Sequence, residues 1–328
     1  MIKIGILALD NCYASSVYGP FDVFSVANFE HQSRNPEEDQ PLFAAEIYSI
    51  DGKPVSSSSN LTIKPCSPIS SAEDLDILIL PAILGDTQHL LKSRPLKGYL
   101  QDSMVSETCI CSVCAGSLIL AEAGLLDGKQ ATTHWALSEI FKKQYQTVDL
   151  KPQKMLVDEG DLITAGGITA YLDLSLYLVQ RFASKELSIA CSKILLIDQP
   201  RTSQTPYKVA DFNRNHGDSG IDDIQLWLEK NFNQNLTISN LAEKAKLGER
   251  TFVRRFKKAT GDLPSEYIQR LRIESARNLL ESTTKSIDEI TWAVGYEDSN
   301  SFRRLFKKRT GLSPGSYRKK FSLIALSR

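Results

Sequence analysis

A chain of 328 residues exceeds the ~100–200 residues of one domain, so two separate cores are expected. With 42% apolar and 24% charged residues the composition is that of a globular protein, and no stretch approaches the ~18 uninterrupted apolar residues of a membrane span, which excludes a disordered or membrane-spanning chain. Formal net charge is zero, but residues 221–328 hold 21 Lys+Arg against 13 Asp+Glu while residues 1–220 hold 18 against 26, so an acidic part precedes a basic one.

From Met1 the chain enters an apolar run with neither the basic region nor the cleavage site of an export signal, and a cytoplasmic protein is expected. Short β-rich runs at 2–9, 43–50, 75–80, 108–113 and 162–164 alternate with amphipathic stretches such as 19–28, 117–123 and 168–182. That alternation predicts an α/β domain over residues 1–195, a flavodoxin-like parallel sheet with helices on both faces. Its six cysteines, Cys12, Cys66, Cys109, Cys111, Cys114 and Cys191, lie mostly in apolar runs and are expected to be reduced.

Within this half the run from Thr108 through Cys114-Ala115-Gly116 passes from strand to helix with Cys114 at the bend. Small neighbours suit a tight nucleophile elbow, and the helix N-terminus behind it would favour a thiolate. Alternation puts Cys109 and Cys111 on one strand face and Cys114 beyond the bend, so buried thiols are expected rather than a metal site. No cofactor and no metal are expected. His134, in a later strand–helix connection, is read as a structural or ligand-binding histidine before a Cys–His partner. Gly166-Gly167-Ile168-Thr169 opens a helix whose free N–H groups would suit an anion, and Tyr18 and Trp135 offer rings to a cation or to the core.

Residues 196–220 carry two prolines, two glycines and no apolar period, and are assigned as a linker. An all-α domain follows over 221–328. The stretch Phe252 to Tyr267 returns fifty residues later as Phe302 to Tyr317, identical at nine of sixteen positions, Phe, Thr-Gly, Pro and Tyr among them. Each copy follows a short apolar helix and a glycine turn, Leu247-Gly248 or Gly295-Tyr296, which makes two helix-turn-helix units. Phe252 and Phe256, like Phe302 and Phe306, share the core face. The opposite face presents Arg250, Val253, Arg254 and Lys257 in one unit and Asn300, Arg303, Arg304 and Lys307 in the other, side chains suited to base edges and phosphates of double-stranded DNA.

At these residues the sequence closely resembles the AraC/XylS family of transcription regulators over about 221–321. The resemblance implies two recognition helices joined by one long helix and entering successive major-groove segments, with bases read by Arg250, Val253, Arg254, Asn300, Arg303 and Arg304. In the first half, Tyr18-Gly-Pro-Phe-Asp22, residues 121–128, Ala131-Thr-Thr-His-Trp135 and residues 163–170 resemble the class I glutamine-amidotransferase-like, or PfpI-type, domain. Together the two halves resemble the GlxA-like subgroup of regulators. Ser16 stands where active PfpI-type enzymes carry a carboxylate, Ala115 stands where protease-like members carry histidine, and Pro81-Ala-Ile-Leu-Gly85 lacks a double glycine. Catalysis is therefore not expected. The implied protein is a homodimeric regulator whose vestigial pocket of Ser16, Cys114, Ala115, His134, Gly166, Gly167 and Ile168 binds an amino acid or other nitrogenous metabolite. The alternative is a cysteine-dependent hydrolase or hydratase with a DNA-binding tail.

Overall fold

The computed structural model describes residues 1–85, 90, 92–198, 201–210 and 212–322. The chain divides into two compact units, Met1–Gln204 and Thr205–Arg328. The first is built on a seven-stranded sheet of β1 (Ile2–Leu7), β2 (Phe43–Ser49), β3 (Ser67–Pro68), β4 (Ile77–Leu80), β5 (Cys109–Val113), β6 (Leu156–Asp158) and β7 (Leu162–Ala165). Their order is β6-β7-β5-β4-β1-β2-β3. Every pairing is parallel except β6 with β7, an antiparallel edge added to the parallel sheet expected from sequence. All residues of β4, β5 and β7 are buried, because helices cover both sides of a central parallel strand and leave it no polar face.

The helices of this unit are α1 (Ala14–Arg34), α2 (Arg94–Val105), α3 (Gly116–Glu122), α4 (Ser138–Gln144), α5 (Ala170–Phe182) and α6 (Lys185–Ile194). From β1 the sheet grows one way to β2, and from β4 the other way to β5. Right-handed crossovers therefore send α1 and α2 to opposite faces. Helices α1, α5 and α6 pack on one another as one layer, while α2 and α3 lie against β5. The reversal of strand order falls between β1 and β4, which puts the switch point, where open α/β sheets bind ligands, beside the carboxyl end of β5 and Cys114.

Among its described residues the second unit is helical: α7 (Ser219–Asn231), α8 (Ile238–Lys244), α9 (Glu249–Thr260), α10 (Pro264–Ser282), α11 (Ile287–Ala293), α12 (Ser299–Thr310) and α13 (Pro314–Phe321). Gly261 and Gly311 end α9 and α12 in left-handed conformation, at φ 82° and 77°, a backbone state that costs glycine nothing. Ser286 and Glu289 close a reciprocal capping box on α11. Two cores result, one around Phe252, Phe256 and Tyr267 and one around Phe302, Phe306 and Tyr317, with Phe232 packed against both. Burying each phenylalanine contributes roughly 1.5–3 kcal/mol.

The segment assigned to a linker is not a free tether over its described residues. Gln204 is buried in the first unit, Phe212 packs edge-on against Tyr267 at 5.1 Å, and Arg277 donates to the Lys208 carbonyl. Hydrogen bonding and aromatic contact replace the apolar periodicity that marks an element in sequence, and the compact units meet at residue 204/205.

Candidate functional site

Each recognition helix is fixed by its phenylalanines and displays its other face. In α9, Phe252 and Phe256 are fully buried while Arg250, Arg254 and Lys257 are exposed; Val253 is half-buried against the first core. Ile238, Glu249, Arg250, Val253, Arg254 and Lys257 line an open groove along this face. In α12, Phe302 and Phe306 are fully buried while Asn300, Arg303, Arg304 and Lys307 are exposed. Asp298 sets the start of that helix, accepting from the Asn300 and Ser301 N–H groups at 3.2 and 2.9 Å. Those bonds, with the Ser301 side chain foremost, hold its carboxyl below the ordinary range. Arg303 reaches Asp288 at 3.3 Å and Arg304 reaches the Ser301 hydroxyl at 3.2 Å. Both partners of the Arg303 pair are half exposed, so the contact holds the guanidinium weakly and leaves it available to a stronger acceptor. Each unit thus presents on one surface the exposed basic side chains named from sequence.

In the first unit Cys114 sits at φ 56°, a left-handed conformation that a non-glycine residue adopts only when its surroundings impose it. They do so through the backbone: the Cys114 N–H donates to the Ala165 carbonyl at 2.7 Å, and the Cys114 carbonyl accepts from the Ser117 and Thr133 hydroxyls at 2.9 and 3.2 Å. The elbow is present and Cys114 is buried, as expected, but the thiolate that a helix N-terminus would favour is opposed by that burial. Burial raises the thiol pKa to about 12, and the hydrogen bond with the Ala115 backbone offsets only part of this. Desolvation outweighs the helix N-terminus.

The surrounding residues account for the rest. Ser16 is fully buried, its hydroxyl donating to the Tyr13 carbonyl at 2.7 Å and accepting from the Ala82 N–H at 3.0 Å, so it clips α1 to the loop after β4 rather than facing a ligand. Ala115 is buried at the start of α3. His134 is half-buried; its Nδ1 accepts from the Ala136 N–H at 3.2 Å and its ring lies 5.2 Å from that of Trp135. Burial lowers the His134 pKa, so the ring is held neutral. Among the described residues no hydrogen bond joins it to Cys114.

The glycine pair fares differently from expectation. Gly166 N–H is not free for an anion, since it donates to the Met155 carbonyl at 2.8 Å. A β-carbon at 166 would meet the Gln204 carboxamide at 1.9 Å, so the space that glycine opens is filled by this chain. Gly167 and Ile168 are half-buried ahead of α5. Sequence reasoning missed Gln204: a lone glutamine in a polar stretch gives no signal of its partners.

Comparison with known proteins follows the two units. The profile described as DJ-1/PfpI family matches residues 3–181, and that described as a helix-turn-helix domain matches residues 241–320. The HTH-type transcriptional regulator CdhR of Pseudomonas aeruginosa is 28% identical over 84% of this chain and 82% of its own length. An isonitrile hydratase of Pseudomonas putida is 31% identical over 55% of this chain and 71% of its own. The crystal structure of an AraC family transcriptional regulator from Pseudomonas putida superposes with a TM-score of 0.52 at 20% identity, covering 60% of this chain and all of that one, a likeness of fold.

Proposed function

Because the chain belongs to the DJ-1/PfpI family and carries a helix-turn-helix module of the AraC type at its other end, we propose that it is a sequence-specific DNA-binding transcription regulator whose first unit senses a small metabolite without catalysis. The observation that carries the DNA-binding part is the pair of recognition helices with buried phenylalanines and exposed arginines. Arg250, Val253, Arg254, Asn300, Arg303 and Arg304 read bases, while Lys257 and Lys307 neutralise phosphate. The two helices enter the major groove about one helical turn, ~34 Å, apart. Genome-wide mapping of bound sites followed by titration of the recovered duplex tests this; a chain that binds all duplexes equally is not a specific regulator.

The sensing part rests on the Cys114 region. What supports a reading without catalysis is that the Cys114 thiol is buried with its pKa raised, the Ser16 hydroxyl is taken by backbone groups, and His134 accepts from the Ala136 N–H rather than from Cys114. The effector class follows the regulators of this architecture, whose ligands are amino acids and other nitrogenous metabolites, and the first unit pairs the chain as a homodimer. Among the described residues no helix is long and apolar enough to cross a membrane. A second reading is favoured by the isonitrile hydratase likeness: a cysteine-dependent hydrolase or hydratase with a DNA-binding tail. Turnover of an amide or isonitrile that disappears in Cys114→Ala would establish it in place of the sensor.

A further inference from the structure

Gln204 is the last residue of the first unit, and its side chain is almost completely enclosed. Its amide nitrogen faces four acceptors: the Thr133 carbonyl at 2.8 Å, the Lys154 carbonyl at 3.0 Å, and the Pro152 carbonyl and Thr132 hydroxyl at 3.2 Å. Its carbonyl oxygen accepts from the Trp135 N–H at 3.1 Å. Gly166 supplies the room, having no β-carbon to collide with the amide. The cage is therefore written for one functional group. A carboxylate would set its oxygens against carbonyls, and an ammonium would leave the Trp135 N–H unpaired; a neutral primary amide satisfies both sides.

We propose that this cage is a binding site for a small primary amide, a carboxamide or a urea, which the Gln204 side chain occupies until a ligand displaces it. The proposal deepens the sensor reading and rests on it for its regulatory half. The next residues belong to the second unit. Thr205 lies against Gly311, which ends recognition helix α12, and the Tyr207 ring packs edge-on against Phe321 at 5.5 Å under the Lys320 ammonium. Gln204 is joined by its peptide bond to Thr205, so a ligand that holds the side chain out of its cage acts at the residue next to the segment seated on α12. A tethered amide competes at an effective concentration of order millimolar, so the natural ligand gains further contacts. The half-buried rings of His134 and Trp135, beside the cage, are the surfaces for them.

Acetamide, the Gln204 head group cut free, is the probe, with acetate as control, on the full chain and its Gln204→Ala and Gln204→Met variants. Saturating acetamide raises the melting temperature of Gln204→Ala by about 2 °C or more, while acetate does not, and Gln204→Met, whose side chain fills the space, does not respond. Gln204→Ala also differs about tenfold from wild type in affinity for operator duplex, and acetamide brings it back toward wild type. A folded Gln204→Ala indifferent to acetamide overturns the site, and equal DNA affinity in all three chains overturns the coupling. If Gln204→Ala folds only in acetamide, the site is supported; if it fails in both conditions while Gln204→Met folds and binds DNA as wild type does, the cage is merely structural. A wild-type chain that binds no duplex, alongside acetamide rescue of Gln204→Ala, removes the regulator reading and leaves the amide site standing.

Discussion

Gly295 lies backbone to backbone against Asn233: a β-carbon at 295 would come within 2.4 Å of the Asn233 carbonyl oxygen and 2.8 Å of its α-carbon. Asn233 lies in the connection between α7 and α8, and Gly295 in the turn of the second helix-turn-helix pair, so the contact holds the second pair against the segment that leads into the first. Arg272, from the long helix α10, reinforces it by donating to the Phe232 and Gln234 carbonyls, both at 2.8 Å, and by lying 5.1 Å over the Tyr296 ring. Hydrogen bonds from a charged group contribute about 1.5–3 kcal/mol. Arg272→Ala is expected to weaken binding to a duplex with both half-sites about tenfold, and to change binding to a single half-site little. Equal losses on both duplexes would show that the clamp does not set the spacing.

Base reading and phosphate neutralisation separate by substitution. If Arg254 and Arg303 read bases as proposed, Arg254→Ala and Arg303→Ala are each expected to cost about 1–3 kcal/mol on the preferred site and to relax preference at one base position. Lys257→Ala lowers affinity for all sequences alike and reduces the slope of log affinity against log salt by about 1. Titrations of preferred and scrambled duplexes over a salt series distinguish the two behaviours.

Cys114 is expected to resist alkylation while exposed Cys66 reacts, as peptide mass mapping after brief iodoacetamide treatment at pH 8 would show. The linkage has a sign. A thiol with its folded pKa raised to about 12 stabilises the native state fully below the unfolded thiol range of about 8.5, and that contribution is lost as pH rises towards 12. Wild type should therefore lose stability between about pH 9 and 12 relative to Cys114→Ser, measured by urea unfolding. Rapid alkylation of Cys114 in the folded protein at pH 7 would contradict this.

The duplicated cores give a symmetric prediction. Phe302→Ala and Phe252→Ala each remove a fully buried ring and are expected to cost about 3–5 kcal/mol, with partial unfolding of the affected unit visible by circular dichroism. Arg304→Ala, on the exposed face of the same helix as Phe302, should leave thermal unfolding nearly unchanged.

What could be read in advance divides by the range of the interactions involved. The strand–helix alternation, the Cys114 elbow and the doubled recognition helices rest on local periodicity and turn chemistry, which a linear pattern records. The phenylalanine spacing four apart placed Arg254 and Arg303 on the outer face before any coordinates. Burial of Cys114 was legible in its apolar run, whereas the upward shift of its thiol was not, because that depends on how completely distant segments enclose it. The same holds for Ser16, whose hydroxyl goes to Tyr13 and Ala82, and above all for Gln204, whose partners lie 50 to 72 residues away in sequence. Polar residues in irregular backbone carry no period, so only the fold reveals what they hold.

The Cys114 bend joins three pieces of the first unit through its main chain alone: one N–H to β7, one carbonyl shared by α3 and the segment at Thr133. Those bonds do not involve sulfur. Side-chain chemistry at this corner can therefore drift, from reactive nucleophile to inert filler, while the architecture stays intact. In such a scaffold a former catalyst can become a receiver of signals without rebuilding its walls, and the geometry of the elbow alone is a poor guide to whether a member of the family still performs chemistry.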